Sequence, residues 1–217
     1  FGVVMSQIMN ISLVLIILSS FYLLGARHYK ALVKAFTLQA ILLSLMPIIT
    51  NTKNFSHEAF YLSLILITAK GVVFPWVLFR TMRKGKISAE MKLLISPAKS
   101  IFLGLIALIF SFWFSTRFPV KGPFTSFTIA VAFFTLLSGL FCIIGRKSAF
   151  SQVLGYLIFE NGIFLLALIL ARGIPLMIEL GVLFDVFAGL IIMTVAIGHI
   201  SREFEHLDVH SLNQLKG

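Results

Sequence analysis

Acidic residues and cysteine are scarce in this chain of 217 residues. It contains eight Asp and Glu residues and a single cysteine, Cys142, and only 12% of its residues are charged. A soluble domain carries roughly a quarter charged residues. One cysteine excludes an internal disulfide, and it excludes any zinc or iron–sulfur site built from four thiolates of this chain. The five histidines include no pair with convincing metal-ligand spacing within the predicted spans. Together these features indicate a membrane-embedded chain that we expect to hold no redox centre or metal of its own.

Long apolar runs supply most of the remaining sequence, with 59% hydrophobic residues. Runs close to the bilayer-spanning length of about 20 residues occur at 3–24, 31–50, 58–80, 97–115, 124–144, 150–171 and 174–199. Residues 1–20 lack the basic segment and the small-residue cleavage site of a secretion signal, so we expect a first transmembrane helix there. The predicted fold is all-α: a polytopic bundle of about seven transmembrane helices with no soluble catalytic domain.

The basic residues are distributed unevenly among the predicted loops. If the N-terminus lies outside and the C-terminus in the cytoplasm, the outer loops hold Lys53, Arg117, Lys121 and Arg172. The inner segments then hold 13 of the 18 Lys and Arg residues: Arg27, Lys30, Lys34, Arg80, Arg83, Lys84, Lys86, Lys92, Lys99, Arg146, Lys147, Arg202 and Lys216. This is the positive-inside bias of a multi-pass protein of the cytoplasmic membrane. The net charge of +10 thus sets orientation against the lipid bilayer, and we expect no nucleic-acid partner.

One hydrophilic loop, residues 80–100, divides the predicted helices into two groups. It separates three leading helices from four trailing ones. We expect an N-terminal transmembrane region over 1–115 with four helices. A second region over 116–217 is expected to contain three helices and a cytoplasmic tail.

Three ionisable residues lie well inside the predicted spans: Lys70, Glu160 and Asp185. A central Lys or Asp facing lipid costs about 2.5–3.5 kcal/mol on insertion scales. Such residues are tolerated when they face protein, water or each other, and they are functional candidates by default. The sequence shows no nucleophile–base pair and no glycine-rich phosphate loop, so no catalytic residue is predicted. The chemistry on offer is proton acceptance and release inside a bilayer.

Lys70 is followed five residues later by Pro75, which removes a backbone donor and can kink the helix just after the lysine. No acidic residue lies within one helical turn of Lys70. Two interpretations remain open for this lysine: a titrating group in a proton path, or one half of a fixed ion pair with a carboxylate of another helix.

Glu160 lies on a polar stripe with Gln152 and Tyr156, because the three residues are spaced by four; Asn161 sits beside it. Burial favours the neutral carboxyl, whose charged form loses hydration, whereas a cation such as Lys70 favours the charged form. A carboxyl held between these influences can exchange protons. The alternative is a permanently neutral acid that joins helices through hydrogen bonds.

Asp185 has Gly181 four residues before it and Gly189 four residues after it. Small residues on one helix face allow another helix to approach closely, so we expect Asp185 at a helix–helix interface. Glu179 is expected near the outer surface. Gln39, in the middle of the second span, is expected to have a structural role.

Several segments of the sequence resemble hydrogenase-4 component E, a membrane subunit of formate-hydrogenlyase-type complexes. The segments are "GRKSAFSQVLGYLIFENG" (145–162), "IELGVLFDVFAGL" (178–190) and the ending "LDVHSLNQLKG" (207–217). Gln39 and the combination of Lys70 with Pro75 match the N-terminal half of that family. The resemblance extends over the whole chain.

The C-terminal helices also resemble subunit K of NADH–quinone oxidoreductase and its counterpart in multisubunit cation/proton antiporters. Asn161 and Asp185 match positions of that family, Asp185 matching its second acidic residue. The first acid of subunit K falls three residues before Glu160, where this chain has Leu157. The carboxyl is thus displaced by about one helical turn along the same face.

These resemblances imply a membrane subunit of a large energy-converting hydrogenase assembly related to complex I. Antiporter-like and other membrane-arm subunits would be its partners. A peripheral arm would hold the nickel–iron centre and the iron–sulfur clusters, and it would perform the redox chemistry. Glu160, Asp185 and Lys70 would then be links of a mid-membrane proton path. Two alternatives stay open: a subunit of a cation/proton antiporter, and a structural scaffold whose buried charges form fixed pairs.

Overall fold

The computed structural model describes residues 2–50, 57–84, 91, 93–118, 124–170, 181 and 189. Within these residues, 6 helices are long and apolar enough to cross a membrane: Val4–Gly25, Tyr29–Thr50, Ala59–Arg83, Pro97–Ser115, Ser126–Ile144 and Phe150–Leu170. They correspond to the first six predicted spans, and the prediction of a polytopic helical bundle is confirmed. Of the seventh predicted span, residues 174–199, only Gly181 and Gly189 are described, and both are helical.

Some spans consist of more than one helical segment. The second span contains α2 and the short α3, and the third contains α4, a π-helix and α5. The segments in chain order are α1 (Gly2–Gly25), α2 (Tyr29–Ser44), α3 (Met46–Thr50), α4 (His57–Leu66), the π-helix (Ile67–Val73), α5 (Phe74–Lys84), α6 (Pro97–Ser115), α7 (Ser126–Ile144) and α8 (Ala149–Leu170).

Polar side chains begin some of these helices and are accommodated inside others. Pro97 stands in the first turn of α6, where its missing N–H leaves no helical bond unmade. Thr125 and Thr128 form a capping box at the start of α7. Many hydroxyl groups within the spans donate to a backbone carbonyl three or four residues earlier. Hydroxyls bonded in this way can lie in an apolar environment without an unsatisfied donor.

Helices α7 and α8 approach each other closely, and three glycines allow this contact. A Cβ atom added at Gly162 would lie 2.6 Å from the backbone nitrogen of Leu136. One added at Gly155 would lie 2.9 Å from the nitrogen of Ile143, and one added at Gly139 would overlap the backbone of Phe159. Because glycine has no side chain, the two backbones come into direct contact.

The connections that follow the first, third and fifth spans meet at one end of the bundle. The Met91 N–H donates to the carbonyl of Arg27, and the Leu94 N–H donates to the carbonyl of Gly145. Leu93 and Arg146 form an isolated antiparallel bridge. We call this end, with residues 26–28, 91, 93–96 and 145–148, the loop end. In an up-and-down arrangement of spans, every second connection lies at the same end of the bundle, as these three connections do.

The helices of the two predicted regions pack against one another. Helix α1 contacts α2, α6 and α7, and α2 also contacts α8. The division into regions 1–115 and 116–217 stays a prediction.

Candidate functional site

Lys70 lies in the π-helix of the third span and is buried, with 3% of its surface exposed. The Phe74 N–H donates to the carbonyl of Ala69, five residues earlier, which is the bonding pattern of a π-helix. Pro75 follows in the first turn of α5, where its ring removes the bond that an α-helix would make to Gly71. The proline expected to kink the helix is thus preceded by a wider π turn, and that turn contains the lysine.

Glu160 lies in the middle of α8 and is likewise buried, with 1% exposed. Its position is fixed by the close contact between α7 and α8. Gly155 and Gly162, on either side of Glu160 in sequence, both have backbone atoms of α7 within the space of a Cβ atom. The backbone that carries the carboxyl is therefore held firmly against its neighbour.

The structure brings these two ionisable side chains together. Lys70 Nζ lies 2.8 Å from Glu160 Oε1, and the two side chains are 4% and 2% exposed. The ring of Phe164, one turn further along α8, has its centroid 5.6 Å from the same Nζ. A cation over an aromatic face gains electrostatic stabilisation, most of all where water is excluded.

The ion pair lies between two hydrophobic clusters. Leu66 and Phe164 belong to one cluster, and Phe74 and Leu157 to the other. Along the third span Lys70 lies between Leu66 and Phe74, and along α8 Glu160 lies between Leu157 and Phe164. The pair is thus enclosed by apolar side chains towards both ends of the bundle.

Several buried polar atoms of the third span and of α8 keep hydrogen-bonding capacity. Among the described residues, Oε2 of Glu160, Nδ2 of Asn161 and Oγ of Ser63 find no hydrogen-bond partner. Asn161 and Ser63 are each 1% exposed. A buried carboxylate oxygen with this capacity can accept a proton or a hydrogen bond from a mobile donor.

The other polar residues predicted to support the site occupy different surroundings. Gln39 is buried in α2, where its Nε2 donates to the hydroxyl of Ser20 at 2.9 Å, joining α2 to α1. Gln152 is exposed near the loop end, and its Nε2 donates to the carbonyl of Arg146 at 3.3 Å. Tyr156 is half-buried, one turn before Glu160. The polar stripe on α8 therefore runs from the loop end to the ion pair.

Asp185 and Glu179 lie outside the described residues. Gly189 is described, and it is buried. A Cβ atom added there would lie 3.1 Å from Cζ of Phe74 and 3.6 Å from Cδ2 of Leu157. Residue 189 thus packs against the two spans that hold the ion pair, on one of the clusters that enclose it.

Arg146 was predicted only as one of the basic loop residues, but the structure shows that it is buried and binds the end of α1. It is 3% exposed, and its guanidinium donates to the carbonyl of Leu23 at 2.7 Å and to Sδ of Met91 at 3.4 Å. Burial lowers the pKa of this guanidinium, and the nearby Cys142 and Tyr29 act in the opposite direction. A cation at the last turn of a helix interacts favourably with its free carbonyls. Helix α1 has no basic residue in its own last turn. Its carbonyls there therefore need a donor from elsewhere, and this is the sequence signal for the contact with Arg146.

Comparison with known proteins agrees with the predicted resemblance. The chain is 27% identical to hydrogenase-4 component E of Escherichia coli (strain K12) over 216 residues, which cover 98% of this chain and 99% of the relative. The component E of Shigella flexneri shows the same values. An uncharacterized protein of Mycobacterium tuberculosis is 26% identical over 209 residues, covering 93% and 92%.

A family comparison extends the similarity to the respiratory complex. Residues 126–217 match the family of NADH-ubiquinone/plastoquinone oxidoreductase chain 4L. The resemblance to hydrogenase-4 component E is confirmed, as is the resemblance of the C-terminal half to the respiratory subunit. The matched region begins at the first residue of α7 and includes Glu160. No solved structure matches the chain.

Proposed function

We propose that this chain is a membrane subunit of a complex-I-like, hydrogenase-4-type assembly, in which Lys70 and Glu160 form a mid-membrane link of a proton path. The observation that carries the proposal is the enclosed ion pair between the third span and α8. Similarity over nearly the full length of hydrogenase-4 component E favours such an assembly over a cation/proton antiporter.

A buried Lys–Glu pair suits proton transfer because its stability depends on which atoms hold protons. A proton that reaches Oε2 of Glu160 neutralises the carboxylate and removes the charge attraction to Lys70 Nζ. The lysine ammonium is then a buried cation without its counter-ion, which favours loss of its own proton to the next acceptor. Transfer of the carboxyl proton from Glu160 to the neutral amine of Lys70 then restores the ion pair. One proton enters and one leaves in each cycle.

The remaining links would be supplied by this chain and its partners. Asp185, four residues before Gly189, would be the next carboxyl of the path, with Glu179 nearer to the outer surface. Antiporter-like membrane subunits would continue the path. The nickel–iron centre and iron–sulfur clusters of the formate-hydrogenlyase-type reaction would lie in partner subunits of the peripheral arm, and the assembly would occupy the cytoplasmic membrane.

A second candidate function is favoured by the short distance of the pair. At 2.8 Å between Nζ and Oε1, Lys70 and Glu160 also have the geometry of a permanent ion pair that fixes two spans. In that role the pair would contribute to assembly without exchanging protons.

The deciding experiment uses the intact complex in sealed vesicles, with electron transfer and proton translocation measured on the same preparation. The variants are Glu160→Gln, Lys70→Met and the double variant. Glu58→Gln, just before the third span, and Lys147→Gln, at the exposed loop end, serve as matched controls. We expect assembled Glu160→Gln complexes to translocate protons at least about tenfold more slowly than wild type, with the controls unchanged.

The double variant separates the two functions. Its pair carries no charge, so a scaffold without exchange of protons would recover assembly and translocation together. A proton link would recover assembly alone. Unchanged translocation in an assembled Glu160→Gln complex would overturn the proposal.

A further inference from the structure

The outer surfaces of α2 and of the third span each carry a row of exposed residues that changes character along its length. On α2 the row is Lys30, Lys34, Leu38, Ile41 and Leu45, spaced by three or four residues. Leu38 is 45% exposed and Ile41 39%. The row therefore begins with two cations at the loop end and continues as an apolar stripe towards the middle of the bundle.

The third span has the same pattern in the opposite chain direction. Val72 and Trp76 are 60% and 59% exposed, and Arg80 and Arg83 follow on the same face, also exposed. The Arg80 guanidinium lies over the Trp76 ring, 5.2 Å from its centroid. The planar group is thereby held at the boundary between the apolar stripe and the loop end, where an indole ring is typically found.

One contact shows that the two rows lie side by side. A Cβ atom added at Gly71 would lie 3.3 Å from Cγ1 of Ile41, and α2 packs against both the π-helix and α5. The two helices are antiparallel. Residues of α2 and of the third span that are equally many positions from this contact, counted towards the loop end, therefore lie at the same depth along the bundle. Lys34 is seven residues from Ile41, about 10 Å along the helix. Arg80 and Arg83 are nine and twelve residues from Gly71, and Lys30 is eleven residues from Ile41. Along the axis of the bundle, the four cations are therefore within about two helical turns of one another.

We infer that Lys30, Lys34, Arg80 and Arg83 form a binding site for the headgroup of an anionic phospholipid, whose acyl chains lie along Leu38, Ile41, Val72 and Trp76. We call these eight residues the basic lipid face. Charge complementarity selects the ligand: four exposed cations stand together, and the described residues of the loop end include no Asp or Glu. Clusters of Lys and Arg at the end of transmembrane helices bind acidic headgroups.

The apolar half of the face favours a lipid over an acidic protein partner. Val72 and Leu38 lie at the depth of the hydrocarbon core if the six spans cross the bilayer. Flexible acyl chains can cover this apolar surface without being complementary to it in shape. The headgroup phosphate can accept two parallel N–H bonds from an arginine. The inference is independent of the proton path, because it rests on exposed residues, whereas Lys70 and Glu160 are both buried.

The test uses the full chain purified in mild detergent and titrated with phosphatidylglycerol or with phosphatidylcholine of identical acyl chains. Bound lipid is counted by native mass spectrometry. We expect wild type to bind phosphatidylglycerol at least about tenfold more tightly than phosphatidylcholine. Raising the ionic strength from about 0.1 M to about 1 M should weaken this preference, since the screening length falls from about 10 Å to about 3 Å.

Two sets of variants then locate the site. The first removes the four cations (Lys30→Gln, Lys34→Gln, Arg80→Gln, Arg83→Gln) and should abolish the preference. The second removes four exposed cations elsewhere (Arg27→Gln, Lys99→Gln, Arg117→Gln, Lys147→Gln) and should retain it. If the first set prevents folding, Arg80→Lys with Arg83→Lys keeps the charge and should keep the preference for phosphatidylglycerol, with weaker binding because the paired N–H bonds are lost.

Three results would overturn the inference: equal binding of the two lipids by wild type, an equal loss of preference in both sets of variants, or release of a partner subunit from the complex by the first set while its lipid binding stays intact. The last result would assign the face to an acidic protein surface.

Discussion

Nζ of Lys70 in the third span and Oε1 of Glu160 in α8 lie 2.8 Å apart, with both side chains enclosed by apolar residues. Each charge is compensated by the other. The energetics of either residue therefore cannot be understood from its own helix.

Removing one partner of this pair should destabilise the chain more than removing both. Lys70→Met or Glu160→Leu alone leaves an uncompensated buried charge, which costs about 3–5 kcal/mol. The double variant replaces the pair by apolar groups and should recover most of that loss. Unfolding of the full chain in detergent micelles measures the free energies, and exposed Lys147→Met is the control. Additive effects of the two single changes would contradict the observed pairing.

The contact between α7 and α8 should not tolerate a methyl group at Gly139. Its Cβ would overlap the backbone of Phe159, and backbone atoms cannot move aside without displacing a helix. We expect Gly139→Ala to lower the free energy of unfolding by about 1–3 kcal/mol. The control is Gly25→Ala, whose Cβ would meet only the end of the flexible Ile101 side chain at 3.2 Å. Equal stability of the two variants would mean that α7 and α8 pack less closely than described.

Arg146 should contribute to stability through its guanidinium, whereas its neighbour should not. Arg146→Ala leaves the buried carbonyl of Leu23 without its charged donor, a loss of about 1.5–3 kcal/mol. Lys147 is exposed, so Lys147→Ala should change stability by less than about 0.5 kcal/mol. Thermal unfolding of the purified chain compares them. Arg146→Lys retains the charge without the forked donor geometry, and we expect an intermediate value.

Gln39 should act through Ser20 and not through the proton path. The amide and the hydroxyl join α2 to α1 at 2.9 Å. A double-mutant cycle of Gln39→Leu and Ser20→Ala should give a coupling energy of about 0.6 kcal/mol, the average for hydrogen bonds between transmembrane helices. Proton translocation by the assembled Gln39→Leu complex should equal that of wild type. A selective loss of translocation would instead place Gln39 in the path.

The sequence predicted the helical spans well, because long apolar runs determine where a chain can cross a bilayer. The predicted boundaries of the first six spans agree with those of the structure to within a few residues. It also indicated Lys70 and Glu160 as unusual, since a buried charge stands out against apolar neighbours. Their role in proton transfer stays a prediction.

Other features depend on tertiary contacts that sequence patterns do not encode. The sequence indicated that Lys70 could act on a carboxylate of another helix, but the pairing with Glu160 itself depends on how the third span packs against α8. The π-helix around Lys70 arises from a shift of backbone bonding by one residue, for which Pro75 is only an indirect signal. Arg146 looked like an ordinary loop cation, because its burial depends on where the end of α1 lies.

The direct backbone contact between α7 and α8 determines which part of the ion pair can be displaced. Helices α7 and α8 pack together as one unit at Gly139, Gly155 and Gly162, and Glu160 belongs to this unit. The opposite side of the pair is a π turn, where a one-residue change in bonding rotates the following segment by about 100°. We therefore expect a change in the distance between Lys70 and Glu160 to come from the third span, because the backbone of α8 is packed directly against α7.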